Sequence, residues 1–388
     1  MLDYVYDENK FVDFKKVEEL WSKNTRETVL YLHNPFCIKN NCKYCCHLGY
    51  PVTNQKEEVY KFYFDYMPKQ LKKYENIINS QNIKLVDFGG GTPNFLHPKL
   101  FEKYLKLLPK KIIDLPKVIE LHPAYISKGF IDILKKYNFS TLIFCIQTFD
   151  KNTLKSQNRM VHNSSNLFSC IRYAKKLGFN VGTDLITYWT KTENDWNILE
   201  KDLYLLKWLE PDEITISVLY QNKYYNSDFD GAIVYKRISE LTRKIVPDYE
   251  NPEKTLDNFF NVATTRIYKK DSNIRKDFDI YINSLTCIPW EHEQGYSTIG
   301  IGSYKCRTSD VFSVIGPNYT IYEVTDDNFN ARYYLAKDYD FWEEAKKEID
   351  KLKEKSNGAE PPTGLNLIFT NIVKNKGEFY KGFVQNGC

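Results

Sequence analysis

From Thr28 onward, short apolar and β-branched runs alternate with longer amphipathic stretches. The strand-like runs are Val29 to His33, Leu85 to Phe88, Val118 to Leu121, Thr141 to Ile146, Val181 to Ile186 and Ile214 to Leu219. Between them the apolar spacing predicts helices over Glu57 to Asn79, bent near Pro68, then Lys99 to Leu107, Lys128 to Tyr137, Ser165 to Leu177 and Asp195 to Leu209. Parallel strands need a crossover long enough to hold a helix, so six strands separated by helices imply a parallel sheet. The expected fold class is α/β, a partial (β/α)6 barrel with a smaller mixed C-terminal domain. In parallel barrels the chemistry gathers at the C-terminal ends of the strands.

The alternation weakens after Tyr220, where Gln221 to Asp230 is polar and aromatic. Helices are predicted over Ala232 to Val246 and Leu256 to Lys269. A boundary near Tyr224 divides the chain into an N-terminal extension (1–27), the barrel (28–223) and a C-terminal, substrate-covering domain (224–388). That last part holds a small-residue segment, Tyr296 to Tyr304, and a charged helix from Asp338 to Lys355 before Gly358 and the Pro361-Pro362 break.

With 388 residues, 42% of them hydrophobic, the chain can bury one large core or a main domain with a smaller one attached. Lys and Arg number 54 against 50 Asp and Glu, so no global basic field points to nucleic acid. Met1 to Asn24 lacks the apolar centre of a signal peptide, and no run reaches membrane-spanning length. A cytoplasmic protein without a membrane or nucleic-acid partner is expected. Four of nine cysteines crowd into residues 37 to 46, which suits reduced, metal-binding thiols better than a disulfide framework.

The crowded segment reads Cys37-x4-Cys42-x2-Cys45 and directly follows the first predicted strand. Three thiolates can hold a [4Fe-4S] cluster and leave one iron open to the amine and carboxylate of an amino acid. That is the arrangement needed to cleave S-adenosylmethionine. A zinc site using His47, or a group of buried thiols, is the plainer alternative, although no second Cys-x2-Cys pair exists. Cys46 is the alternative third ligand to Cys45. Tyr44 could shield such a cluster or lie against an adenine ring; a core tyrosine is its bland counterpart. Gly89-Gly90-Gly91-Thr92-Pro93 follows the second strand and lacks the Lys-Ser/Thr of a phosphate loop. Its glycines would let main-chain N–H groups approach a small ligand, or would simply form a turn.

Six ordered segments carry a resemblance: Tyr31-x-His33-x-Pro35-Phe36-Cys37, Gly89-Gly90-Gly91-Thr92-Pro93, Glu120-Leu-His-Pro123, Ile146-Gln147-Thr148-Phe149-Asp150, Leu154-x4-Arg159-x2-His162 and Asp184-Leu185-Ile186. Over about Val29 to Tyr220 the chain resembles the radical SAM superfamily. The branch is that of oxygen-independent coproporphyrinogen III oxidase, its heme-chaperone relatives and the class C radical SAM methyltransferases. The resemblance implies that Cys37, Cys42 and Cys45 bind the cluster, that Gly89, Gly90, Gly91 and Thr92 lie at the methionine amino group of SAM, and that Tyr31 lies near it. Glu120 and Arg159 would hold the methionine portion, and Gln147 and Asp184 would meet ribose hydroxyls or the neighbouring substrate. Tyr31, Glu120 and Arg159 are the residues expected nearest the chemistry.

Three departures mark this chain. The gap between Cys37 and Cys42 holds four residues where the branch usually has three. Thr187-Tyr188-Trp189-Thr190-Lys191-Thr192 replaces a Gly-Leu-Pro-Gly-Gln-Thr type of turn, so Tyr188 and Trp189 either stack on a planar substrate or cover the barrel mouth. Cys287-Ile-Pro-Trp290-Glu-His292 retains only the tryptophan of the chaperone segment. The expected activity is reductive cleavage of SAM, one or two molecules of it, to a 5′-deoxyadenosyl radical that modifies a small metabolite or natural-product intermediate by methylation, cyclisation or decarboxylation. A low-potential donor such as flavodoxin or ferredoxin would supply the electron. A heme-binding chaperone and an iron-sulfur electron carrier are the rival readings. Cys145 and Cys170, inside apolar runs, read as core, and Cys287, Cys306 and Cys388 as ordinary thiols.

Overall fold

The computed structural model describes residues 11–37, 42–45, 50–51, 56–219, 231–250, 264–270, 297–302, 311–315, 319–325 and 331–336. Six strands form its centre: β1 (Glu27–Asn34), β2 (Asn82–Gly90), β3 (Lys117–Leu121), β4 (Phe139–Gln147), β5 (Asn180–Thr187) and β6 (Glu213–Val218). They lie side by side in chain order and every neighbouring pair is parallel. Each predicted strand is present, and so are the crossover helices, among them Pro98–Leu105, Lys128–Lys136, Ser164–Lys176 and Glu193–Leu209.

Strand periodicity sorts the side chains. Leu30, Val86, Ile119, Leu142 and Phe144 belong to the large core between sheet and helices. Val29, Leu85, Val118 and Ile143 form, with Tyr268, a small separate cluster on the concave face, and Cys145 packs against it. Two residues further along each strand, Tyr31, Asp87, Glu120 and Cys145 share that concave face. The lumen therefore has an apolar floor and a polar upper layer.

The strands after residue 224 extend the same sheet from both edges. β7 (Thr264–Lys269) runs antiparallel to β6, with Arg266 opposite Thr215. β8 (Ser297–Ile301) runs parallel to β1, with Ile299 opposite Leu30, and three further antiparallel strands follow it outward. The helix predicted over Leu256 to Lys269 is thus a strand in its C-terminal part. Thr264, Thr265 and Ile267 are β-branched, and the open backbone edge of β6 offers hydrogen bonds that a helix could not complete. Residues 256–263 and the predicted helix Asp338 to Lys355 lie outside the described residues.

The segment predicted as one bent helix is irregular earlier than expected. An α-helical turn, Lys56–Lys61, passes into a π-helical turn, Phe62–Tyr66, before Met67–Lys73 and Glu75–Ser80. Pro68 has no N–H to give to the carbonyl of Phe64, and the widened turn absorbs that loss while burying Phe62, Tyr63 and Tyr66. N-terminal to β1, the helix Phe14–Ser22 drives Val17 and Trp21 into the large core. Among the described residues, no helix is long and apolar enough to cross a membrane.

Ile299 is fully buried at the seam between β8 and β1. Ile299→Ala is expected to cost about 2–5 kcal/mol, the range for a large-to-small change in a packed core. A lowered urea midpoint at unchanged m-value would show that the C-terminal strand folds with the barrel as one cooperative unit.

Candidate functional site

The cysteine segment begins where β1 ends and is fastened at its base. Phe36–Cys37 pairs in parallel with Tyr50–Pro51, which brings the two ends of the segment together. Phe36 is buried edge-on against Phe62, with ring centroids 5.3 Å apart at 87°. The Asn34 side chain donates to the Phe36 carbonyl at 2.9 Å and accepts from the Tyr63 hydroxyl.

The glycine segment grips the same turn from β2. The Gly91 N–H donates to the Asn34 carbonyl at 2.6 Å, and the Thr92 N–H donates to the Phe36 carbonyl at 2.8 Å. Gly90 has φ +100°, a conformation that side chains rarely adopt. A Cβ on Gly91 would sit 2.4 Å from the Phe36 oxygen and 2.9 Å from Cys37 Sγ. The N–H groups of residues 91 and 92 are thus spent on the cysteine turn.

Burial, and after it the neighbouring Cys45 and Cys42, raise the Cys37 thiol to about 12, while the Thr92 hydroxyl and Arg159 act in the opposite sense. The three sulfurs thus lie within electrostatic reach of one another. Among the described residues, no three Cys, His, Asp or Glu side chains are grouped tightly enough for one metal ion. A cluster that gives each thiolate its own iron does not require such grouping, so this donor set fits a polynuclear centre. Cys46 lies outside the described residues.

Arg159 pins the second half of the segment to the barrel. Its Nη1 donates to the Tyr44 hydroxyl at 2.5 Å and reaches Cys42 Sγ at 3.9 Å, and its Nη2 donates to the Cys145 carbonyl. The Lys43 N–H donates to the Gln157 carbonyl at 3.0 Å, a second staple between the same segments. Nε of Arg159 is buried without a hydrogen-bond partner among the described residues. Trp189 is buried edge-on against Tyr44, centroids 5.5 Å apart at 73°, so it covers the cysteine segment.

The predicted residues Tyr31, Tyr44, Gly89, Gly90, Gly91, Thr92, Glu120, Gln147, Arg159 and Asp184 lie at or beside the C-terminal ends of β1 to β5 and the turns after them. Gln147 ends β4 with φ +67°, a strained geometry for a residue with a Cβ. Burial raises Asp184 to about 6, against the thiol of Cys145, which donates to it, and the charges of Arg266 and Arg159. Glu213, on the same face of β6, is raised to about 8 by burial and by Asp184, and accepts from the Thr215 hydroxyl.

Cys145 is a correction to the core reading: it is half-buried on the lumen face, whereas Cys170 is buried as expected. The strand phase that turns Gln147 inward also turns Cys145 inward, and that was the available signal. Asp87 was missed altogether; a carboxylate within the apolar run Leu85-Val86-Asp87-Phe88 was the sign.

A family model described as the radical SAM superfamily matches residues 31–201. Over this segment the chain is similar to that superfamily. The cofactors of that superfamily are a [4Fe-4S] cluster and S-adenosylmethionine, as the cysteine spacing predicts. The chain is 24% identical over 296 residues to an oxygen-independent coproporphyrinogen III oxidase of Helicobacter pylori, covering 72% of this chain but 61% of that protein. It is 28% identical over 160 residues to the heme chaperone HemW of Buchnera aphidicola, covering 40% of this chain and 42% of the relative. Among solved structures, coproporphyrinogen III oxidase of Escherichia coli aligns with a TM-score of 0.65 at 17% identity, over 89% of this chain and 80% of that one. That likeness confirms the α/β partial-barrel fold.

Gly91→Ala is expected to yield protein with unchanged far-UV circular dichroism and less than about half the iron and sulfide of the parent after reconstitution, because the added Cβ must displace the Cys37 turn. For Glu213, the raised folded value means that the native state binds more protons than the unfolded chain between about 4.3 and the folded value. Its contribution to stability is full below the unfolded value and is lost as the pH rises through about 8. Melting temperatures measured at pH 5.5 and 9 should fall more steeply for the parent than for Glu213→Gln.

Proposed function

We propose that the chain cleaves S-adenosylmethionine reductively at a [4Fe-4S] cluster and turns the resulting radical on a small organic molecule. The carrying observation is the seam that sets Cys37, with Cys42 and Cys45 beside it, against Gly91 and Thr92 at the mouth of the barrel. When bound, the cluster supplies one electron to the sulfonium and so breaks a carbon–sulfur bond.

The chain's own residues would do the rest. Cys37, Cys42 and Cys45 would bind three irons as thiolates, the cationic metal centre overcoming the burial that keeps Cys37 protonated. Arg159 would hold Cys42 and Tyr44 in register and offer Nε to a carboxylate. Glu120 would take an ammonium, and Gln147 and Asp184 would face hydroxyls. Trp189 over Tyr44 would keep water from the sulfurs.

The lumen guides the choice of substrate. Asp87, Glu120, Asp184 and Glu213 line it among the described residues, against the guanidinium groups of Arg159 and Arg266. Burial holds most of these carboxyls toward their neutral forms, so the lumen favours a substrate of low net charge. The HemW likeness supports a second reading, a protein that binds heme and hands it on.

Anaerobic reconstitution followed by dithionite and SAM tests the first reading. Cluster-dependent 5′-deoxyadenosine and methionine are expected from the parent, with a loss of at least about 100-fold when Cys37, Cys42 and Cys45 are all alanine. A loaded cluster that yields no deoxyadenosine, together with stoichiometric heme binding, would transfer the assignment to the chaperone reading.

A further inference from the structure

Asp87 is 1% exposed, and neither of its carboxyl oxygens has a hydrogen-bond partner among the described residues. A buried carboxyl without a partner is costly, and native chains rarely keep one where nothing binds. It lies on β2 opposite Tyr31 of β1 and two residues before Gly89, in the polar layer above the apolar floor. Glu120 of β3 is its electrostatic neighbour. Cys145 of β4 and Asp184 of β5 continue the layer, and the terminal nitrogens of Arg159 are engaged with Tyr44, Cys42 and the Cys145 carbonyl. No ion pair to Asp87 exists among the described residues.

We propose that Asp87 is a second carboxyl group for the cationic end of S-adenosylmethionine, sharing that end with Glu120. The inference rests on the SAM-cleaving reading and extends it to a residue that none of the sequence motifs contains. The buried Asp87 and the half-buried Glu120 beside it cannot both ionise cheaply above the apolar floor, so the free protein keeps a proton on the pair. Burial and Glu120 accordingly hold Asp87 well above the ordinary carboxylate range. S-adenosylmethionine carries a sulfonium and an ammonium. When it arrives, the carboxyl O–H bond breaks, the proton passes to the buffer, and a carboxylate pairs with the incoming positive charge. The pair would thus select for charged S-adenosylmethionine over neutral adenosyl thioethers.

The test is titration calorimetry on cluster-loaded, unreduced protein, parent and Asp87→Asn, in two buffers of different ionisation enthalpy. S-adenosylmethionine is the probe and 5′-methylthioadenosine the uncharged control. The variant should bind S-adenosylmethionine about tenfold or more weakly, the scale of a lost hydrogen bond to a charged group. Its affinity for methylthioadenosine should be unchanged, and the parent should release more protons on binding S-adenosylmethionine than the variant does. The apo variant should melt at or above the parent temperature, because the substitution removes a partnerless carboxyl. Equal S-adenosylmethionine affinity and proton release in both proteins would overturn the proposal and leave the SAM-cleaving reading intact. An equal loss of both ligands, or a lower melting temperature, would mark Asp87 as structural and overturn it too. A loaded parent that binds no S-adenosylmethionine would overturn both.

Discussion

The site depends on a seam between two strand ends. β1 delivers the cysteine turn and β2 delivers three glycines, and the two meet through main-chain hydrogen bonds from Gly91 and Thr92 to Asn34 and Phe36. Backbone groups can approach this closely only where no Cβ intervenes, which is why the β2 end reads Gly-Gly-Gly. Everything that touches Cys37 inherits its position from this contact. The aromatic packing beneath, with Phe62 and Tyr63 displayed by the π-helical turn, fixes the seam from the core side.

Around the seam the chain concentrates ionisable groups where water is scarce. The thiols of Cys37 and Cys145, the carboxyls of Asp87 and Asp184, and His122 and His162 are pushed toward their neutral forms by burial, with His162 lowered to about 4. Arg159 is the buried counter-charge, and it holds Cys42, Tyr44 and the Cys145 carbonyl at once. A region that is neutral when empty and charged when loaded suits a site whose cofactors are themselves highly charged. The polar residues sit on the concave face of the sheet, so the apolar floor below them sets a low dielectric under every one of these groups.

The barrel is completed from elsewhere in the chain. β7 caps the edge of β6 and contributes Arg266 and Tyr268 to the lumen, and β8 caps the edge of β1. Both edges of the six-stranded unit are therefore paired by the C-terminal third, which also brings a guanidinium opposite Thr215 and close enough to influence Asp184.

The sequence by itself determined the six-strand framework, the order of its crossover helices and the location of the cysteine and glycine segments, because strand and helix periods and the choice of glycine are local properties. Its motifs also named nearly all of the residues that meet at the barrel mouth. Tertiary structure decided what those residues do to one another. It spent the Gly91 and Thr92 N–H groups on the cysteine turn and the terminal nitrogens of Arg159 on Tyr44 and the Cys145 carbonyl, and it laid Trp189 over Tyr44. It also made residues 264–269 a strand, since short β-branched runs take the form their neighbours' unpaired backbone demands. Asp87 and Cys145 became lumen residues only when the sheet curved, because the side of a strand that is lumen is defined by closure and not by the strand's own sequence.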